Sequence, residues 1–409
     1  MLKINRIQAL KIILFGSVLN AYIFNAIAGG SGPLRLIGML FMNLSGILLV
    51  IYFFKIMMKK FDTNFYFKIM FFLLITWCFI TVFRAISPTP QTFITVFGHF
   101  LIGWAWMNVL AVVFGFNIFN WIMIFDFIST LLLISSVLTL ASPIYSMDVI
   151  FAISKIMVFV PVVFITSMYQ NKRNKRIAYI SLFAFIVNSI FSGQRANLGL
   201  ILMIISFMIF EFYRQQNIGM YKKIALVFGI LIFMLLLLSQ VDKMIEKVEG
   251  DEDAQTDTRT FLFVELFADL KSYDLVIGRG ALGTYFSPYF EYCKRHGLGG
   301  DDPDRVVNEV GYLQMILKGG LIMLSLHLLI LLPAAYLGIF ASNNIITRMC
   351  GYYIVIILLM WIINSYMIYS AEFLILWMAV GTVISSKNRK LRNRDILVKI
   401  NKGYEFAEK

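Results

Sequence analysis

Twelve apolar runs follow one another along this chain, at roughly 9–28, 35–57, 66–86, 93–115, 118–140, 148–168, 177–191, 196–213, 223–241, 313–340, 350–369 and 372–386. A helix needs about twenty apolar residues to cross a bilayer core. The pattern therefore predicts an all-α polytopic membrane protein with about 12 transmembrane helices. Composition agrees: 60% of the residues are hydrophobic and 14% charged, with a mean hydropathy of +0.80. Ordinary globular chains run near 45–50% apolar and ~25% charged. The first run follows Lys3, Arg6 and Lys11 and is long enough to span. It carries no evident small-residue cleavage site, so it reads as a span and not as a signal peptide.

Basic residues orient the spans. Lys55, Lys59, Lys60 and Lys68 follow the second run, and Lys172, Arg173, Lys175 and Arg176 the sixth. Arg214, Lys222 and Lys223 follow the eighth, and Lys387, Arg389, Lys390, Arg392 and Arg394 the twelfth. With the basic N-terminus they mark one side, which the positive-inside bias makes cytoplasmic, so both termini are expected inside. Four regions result: helices one to nine over 1–241, an extracytoplasmic loop over 242–311, helices ten to twelve over 312–386, and a basic cytoplasmic tail over 387–409. The loop holds 8 basic against 15 acidic residues, a net −7 that leaves +20 on the rest of a chain of net +13. The excess positive charge thus lies along the cytoplasmic rim, where it orients the protein against anionic lipid. Nucleic-acid binding is not implied.

Charges at the outer edge are the candidates for chemistry. Arg195, in Ser192-Gly193-Gln194-Arg195, stands between two apolar runs, where a charge is costly unless it faces protein or a water-filled cavity. The loop adds Arg259 and Arg279, the latter in the glycine-spaced string Gly278-Arg279-Gly280-Ala281-Leu282-Gly283. That string superficially resembles a dinucleotide fingerprint but lacks the strand–helix unit around it. A glycine turn and guanidinium groups can approach phosphate oxygens closely. The alternative for each arginine is an ion pair with the loop's many acids, or snorkelling at the interface.

Arg305-Val306-Val307-Asn308-Glu309-Val310-Gly311-Tyr312-Leu313-Gln314 closes the loop and runs into Lys318-Gly319-Gly320-Leu321. Glu309 stands where the chain re-enters the membrane, where partial desolvation would suit a carboxylate to proton transfer. The plainer reading is a helix N-terminal acid or a salt bridge to Arg305. His99, Asp126, Lys155, His327 and Glu372 fall within or beside spans, as structural pairs or cavity-lining groups. The aromatic stretch Tyr285–Tyr292 could stack on sugars or seat the loop on the bilayer. Cys78, Cys293 and Cys350 form no disulfide or metal pattern.

The arrangement resembles the O-antigen polymerase/O-antigen ligase superfamily of lipid-linked polysaccharide enzymes. The likeness lies in the dozen spans, the late extracytoplasmic loop and Ser192-Gly193-Gln194-Arg195 before a span. It extends to Arg259 upstream of Gly278-Arg279-Gly280, and to Glu309-Val310-Gly311-Tyr312-Leu313 followed by Gly320-Leu321. The ligase branch has histidine where this chain has Glu309, which favours the polymerase branch. The resemblance implies transfer of an undecaprenyl-diphosphate-linked glycan onto another lipid-linked repeat unit, at the outer face of a bacterial cytoplasmic membrane. It implies Glu309 and Arg195 as catalytic residues, with Arg259, Arg279, Arg305 and Tyr312 binding diphosphate and glycan. No cofactor or metal is required, and no metal-ligand cluster appears. A chain-length regulator protein is a further candidate partner. Ligation to a different acceptor is the second reading, and a lipid-linked oligosaccharide flippase the third; a flippase would predict charge spread through many spans and a two-half repeat.

Overall fold

The computed structural model describes residues 5–22, 33–57, 63–86, 95–98, 102–140, 167–191, 195–215, 260–296, 302–363 and 367–401. The ninth apolar run, the sixth up to residue 166, the Ser192-Gly193-Gln194 stretch, His99, Lys155 and Arg259 lie outside the described residues.

The described chain is mostly helical. Helices α1 (Arg6–Tyr22), α2 (Pro33–Met57) and α3 (Phe65–Phe83) match the first three runs. Pro33 opens α2 where its missing N–H costs nothing. Asn64 caps α3, its Oδ1 accepting from the Phe67 N–H at 3.2 Å. The fourth run is broken: α4 (Gly103–Met107) passes through a 3-10 turn (Asn108–Ala111) into α5 (Val112–Gly115). This irregular backbone is buried against α14 (Ala371–Ile384), and the Asn108 Nδ2 donates to Ile368 O at 2.7 Å and Ala105 O at 2.8 Å. The tightened turn is thus satisfied by protein where no water would reach it. Then come α6 (Phe119–Leu140), α7 (Lys172–Phe191) and α8 (Arg195–Gln215).

After the undescribed stretch, α9 (Thr260–Asp269), α10 (Ser272–Ile277), α11 (Pro288–Arg295) and a two-residue antiparallel pairing of β1 (Tyr285–Phe286) with β2 (Asp304–Arg305) build a compact cap. The cap has its own small core of Leu262, Leu266, Tyr285 and Val310 on the Leu313, Ile316 and Leu317 face of α12 (Gly311–Phe340). α13 (Ile345–Ile363) and α14 complete the bundle. The stretch expected to be a basic tail folds into two further short helices, α15 (Ser386–Lys390) and α16 (Asn393–Asn401), with Ile396 buried.

Among the described residues, five helices are long and apolar enough to cross a membrane: Leu36–Met57, Phe65–Phe83, Phe119–Val137, Gly311–Phe340 and Ile345–Ile362. Their outer faces support that reading. On α2, Leu36, Leu40, Leu44, Ile47, Ile51 and Phe54 form one exposed stripe at helical spacing, while Met42, Leu49 and Phe53 turn inward. A continuous apolar stripe is a liability in water and the natural surface toward lipid.

Contacts between ends give the helix directions. Tyr66 donates to Leu329 O at 2.7 Å and the Trp77 indole to Gly319 O at 2.8 Å, so α3 and α12 run antiparallel. Asn174 meets Asp126 at 2.8 Å and Ser136 meets Ser181 at 2.8 Å, so α6 and α7 run parallel. One end of the bundle gathers Arg6 on Val113 O, Asn388 on Gly115 O, and Asn343 on Arg389 O. The cap covers the other end.

Candidate functional site at the foot of the cap

Arg305 is positioned by backbone pairing. β2 places it opposite Tyr285, and the Ser287 N–H donates to Pro303 O at 2.9 Å to continue the ladder. Ser287 caps α11, and its hydroxyl donates to Glu265 Oε2 at 2.8 Å. Glu265, buried on α9, also accepts the Tyr289 N–H at 3.1 Å. This network fixes α11 under β2, so that the Arg305 guanidinium lies over the Phe290 ring at 4.3 Å and near Tyr285 at 5.9 Å. Stacking a guanidinium on an aromatic face holds its plane and supplies about 0.5–2 kcal/mol. Burial, opposed by the Arg305 charge, pushes the Tyr285 phenol up to about 12, so it stays a neutral hydroxyl.

The Arg305 side chain is only 12% exposed, and its Nη2 approaches Glu309 Oε1 at 3.6 Å, a loose ion pair. Its Nη1 is buried with no hydrogen-bond partner among the described residues. Nearly all buried donors in folded proteins are satisfied, so this one calls for an acceptor. Glu309 itself is 47% exposed. Asn308 sets the bend between them: its N–H donates to Gln314 Oε1 at 2.8 Å and its Oδ1 accepts the Val310 N–H at 3.0 Å. Gln314 Nε2 is a second buried donor without a partner among the described residues, at the same bend. Asn308 and Gln314 carried no weight in the sequence, because an amide beside a predicted helix start gives no sign of which backbone group it will hold.

Tyr312 faces the bundle. Its hydroxyl donates to Leu358 O at 2.7 Å and its ring meets Trp361 edge-on at 5.9 Å, which ties α12 to α13.

The second arginine of the cap has a different environment. Arg279 Nε donates to Asp274 at 3.0 Å, Nη1 to an Asp269 carboxylate oxygen and to Thr284 O, and Nη2 to Asp269 O at 2.7 Å. Burial lowers its pKa, but Asp269 and Asp274 outweigh that and raise it above the usual value. Four donor contacts stay within the cap, leaving one Nη2 hydrogen for any other acceptor.

The Gly278–Gly280 turn docks on a break in α12. Gly320 has φ 68 and ψ −173 inside that helix, which leaves the carbonyls of the preceding turn without helical donors. Each finds another: Leu317 O takes the Arg279 N–H at 2.8 Å, Lys318 O the Gly280 N–H at 2.9 Å, and Gly319 O the Trp77 indole. Gly278 also has φ 68, and a Cβ there would strike the backbone of Lys318 and Gly319. Arg84, at the end of α3, donates to Ile277 O at 2.8 Å and Gly278 O at 2.9 Å, and the fully buried Lys318 donates to Gly283 O at 2.7 Å.

Arg195 is the first residue of α8. The far end of that helix is anchored by Glu211, which takes three hydrogen bonds from Arg348 at 2.6–3.1 Å and one from Tyr352 at 2.7 Å, and by Arg214 on Ile339 O. Ile339 lies at the end of α12 remote from Gly311. α8 and α12 therefore run in the same direction, and Arg195 begins its helix at the bundle end that the cap covers. The Glu211–Arg348 pair was not singled out in the sequence, although a charge inside each of two apolar helices was there to be read.

The remaining intramembrane candidates are spread. Asp126 accepts from Asn174 and Asn171 at the basic end. His327 is buried between Trp377 and Trp361 at 5.6 and 6.1 Å, with its Nδ1 2.8 Å from Met323 O. Glu372 is buried in the first turn of α14. The structure thus brings Arg305 and Glu309 into contact, starts the helix of Arg195 at the same end, and engages Arg279 and Tyr312 in packing. No family model matches the chain, and no curated protein or solved structure is significantly similar to it.

Proposed function

We propose that this protein is a membrane glycosyltransferase of the repeat-unit polymerase kind. It crosses the bacterial cytoplasmic membrane about twelve times with both termini inside, and it works on the outer face. It extends an O-antigen, capsule or other exopolysaccharide glycan. The acceptor sugar hydroxyl attacks the anomeric carbon of the donor glycan. The bond from that carbon to the diphosphate oxygen breaks, and its electron pair leaves with undecaprenyl diphosphate. Glu309 takes the hydroxyl proton, and Arg305 and Arg195 stabilise charge developing on the leaving diphosphate. A chain-length regulator would act on this enzyme from outside the reacting groups.

The observation that carries the reading is the pairing of a stacked, buried guanidinium, one nitrogen of which has no acceptor among the described residues, with a half-exposed carboxylate, both where the cap meets the start of α12. A fixed fork of donors suits phosphate oxygens, and the neighbouring carboxylate suits a proton. The order of the motifs along the chain supports the same reading.

Purified protein in vesicles, given lipid-linked repeat units, tests it. Lengthened glycan on the same lipid carrier is expected. Transfer to a non-carrier acceptor would make it a ligase, and unchanged glycan appearing on the other side of the vesicle would make it a flippase.

A further inference from the structure

The cap does not look like a loop lying wholly in water. On α9, Leu262, Glu265 and Leu266 turn inward, and the opposite face presents Phe263, Val264, Phe267 and Ala268, with no polar side chain among them. Val264 is 64% exposed, and Tyr273 on α10 is 70% exposed with Val276 beside it. A solvated helix keeps its outer face polar, and one whose outer face is apolar is covered by protein or lipid. α11, in the same cap, follows the aqueous rule: Lys294 and Arg295 are exposed on it.

Two contacts fix how far α10 reaches. A Cβ at Gly320 would strike the Val276 carbonyl, so the end of α10 lies at the break in α12, nine residues or about 14 Å along that helix from Gly311. Arg84 and Thr81, from the last turns of α3, hold Ile277, Gly278 and Ala281. The end of α10 thus meets the last turns of α3, where Ile80 and Phe83 are exposed on a candidate span. Charge is also arranged for a poorly solvating medium: Arg279 is enclosed by Asp269 and Asp274, and three carbonyls at the helix break, those of Leu317, Lys318 and Gly319, take donors from outside the helix.

We propose that α9 and α10 form a hairpin seated in the lipid leaflet at the cap end of the bundle, with Phe263, Val264, Phe267, Tyr273 and Val276 against acyl chains. Its occupant is lipid, not a second protein. The inference rests on the membrane reading of the helices and is independent of the proposed catalysis.

Single-cysteine variants Phe267→Cys and Val276→Cys, labelled with an environment-sensitive nitrobenzoxadiazole dye, would be reconstituted in phosphatidylcholine vesicles beside Lys294→Cys. Strong quenching by doxyl-labelled phosphatidylcholine with blue-shifted emission is expected at 267 and 276, and quenching by aqueous iodide at 294. Iodide quenching at 267 and 276 without doxyl quenching would overturn the proposal. So would protection from both quenchers, which would mean a protein partner covers the face. The unaltered protein gives a second measurement that needs no variant. Photolysis with diazirine-bearing lipid should label the 260–277 peptide, and labelling confined to the long apolar helices would equally refute it.

Discussion

Arg305 and Glu309 are four residues apart, and the proposed chemistry divides between them. The guanidinium has one nitrogen near Glu309, a second buried without an acceptor, and its plane fixed on Phe290. Lysine would keep the charge but lose both the flat face and the fork. Arg305→Lys is therefore expected to lower glycan extension and raise the apparent KM, whereas loss of charge in Arg305→Ala should lower activity further. Steady-state kinetics on lipid-linked repeat units would separate the two, and equal activity in all three proteins would remove the diphosphate role. For Glu309→Gln, losing a general base should slow extension by roughly 10²–10⁴-fold while leaving the thermal melt unchanged. A variant that works at full rate removes Glu309 from the mechanism. At this scale the sequence offered candidate residues without their contacts. Arg279 and Arg305 look alike as loop arginines, and only the fold separates one enclosed by Asp269 and Asp274 from one stacked on Phe290 beside Glu309.

Among the elements, the break in α12 does the most to position the cap. Hydropathy reads Gly311–Phe340 as one uninterrupted run, because Gly319 and Gly320 scarcely alter the average. What makes the break stable is the supply of donors from Arg279, Gly280 and Trp77, and these come from distant segments that a local reading does not connect. The same blindness applies to the fourth run, whose described part from Gly103 to Gly115 tightens into a 3-10 turn at Asn108–Ala111 that hydropathy does not register. Alanine at position 320 would meet the Val276 carbonyl and would hold a conformation that side chains strongly disfavour. Gly320→Ala should cost about 1–3 kcal/mol or more and lower the melting temperature in detergent, with cap cleavage by protease accelerated. Alanine at Gly199, where a Cβ meets nothing nearby, is the matched control and should leave both unchanged. At the opposite end, α8 is held by a buried ion pair. Removing one partner strands the other, so Glu211→Gln is expected to destabilise the bundle by roughly 3–5 kcal/mol. Replacing Glu211 and Arg348 together with methionine should recover much of that loss. An equal loss in the single and double variants would show that the pair is not what anchors the helix.

Across the whole molecule, basic residues and contact geometry divide the bundle into the same two ends. Arg6, Lys387, Arg389 and Arg392 belong to segments that meet Val113, Gly115 and Asn343 at one end, and the acidic cap closes the other. Charge bias orients a chain without regard to tertiary contacts, and the contacts form without regard to charge bias, so their coincidence is informative. The apolar helices were legible in the sequence because insertion responds to local hydropathy, which is one-dimensional. The folded basic tail was less so: α16 keeps a single buried residue, Ile396, and its Asn393 takes hydrogen bonds from Ile345 and Tyr169, partners hundreds or tens of residues away. The proposed orientation has a direct consequence in cells. Cys78, Cys293 and Cys350 are buried, so a new surface thiol would dominate labelling. In intact cells a membrane-impermeant maleimide should modify Lys294→Cys rapidly, and Arg394→Cys only after the membrane is opened. The reverse pattern would put the cap in the cytoplasm, on the wrong side of the membrane for the proposed reaction. Equal labelling of both before permeabilisation would mean that α12, α13 and α14 do not carry the chain across an odd number of times.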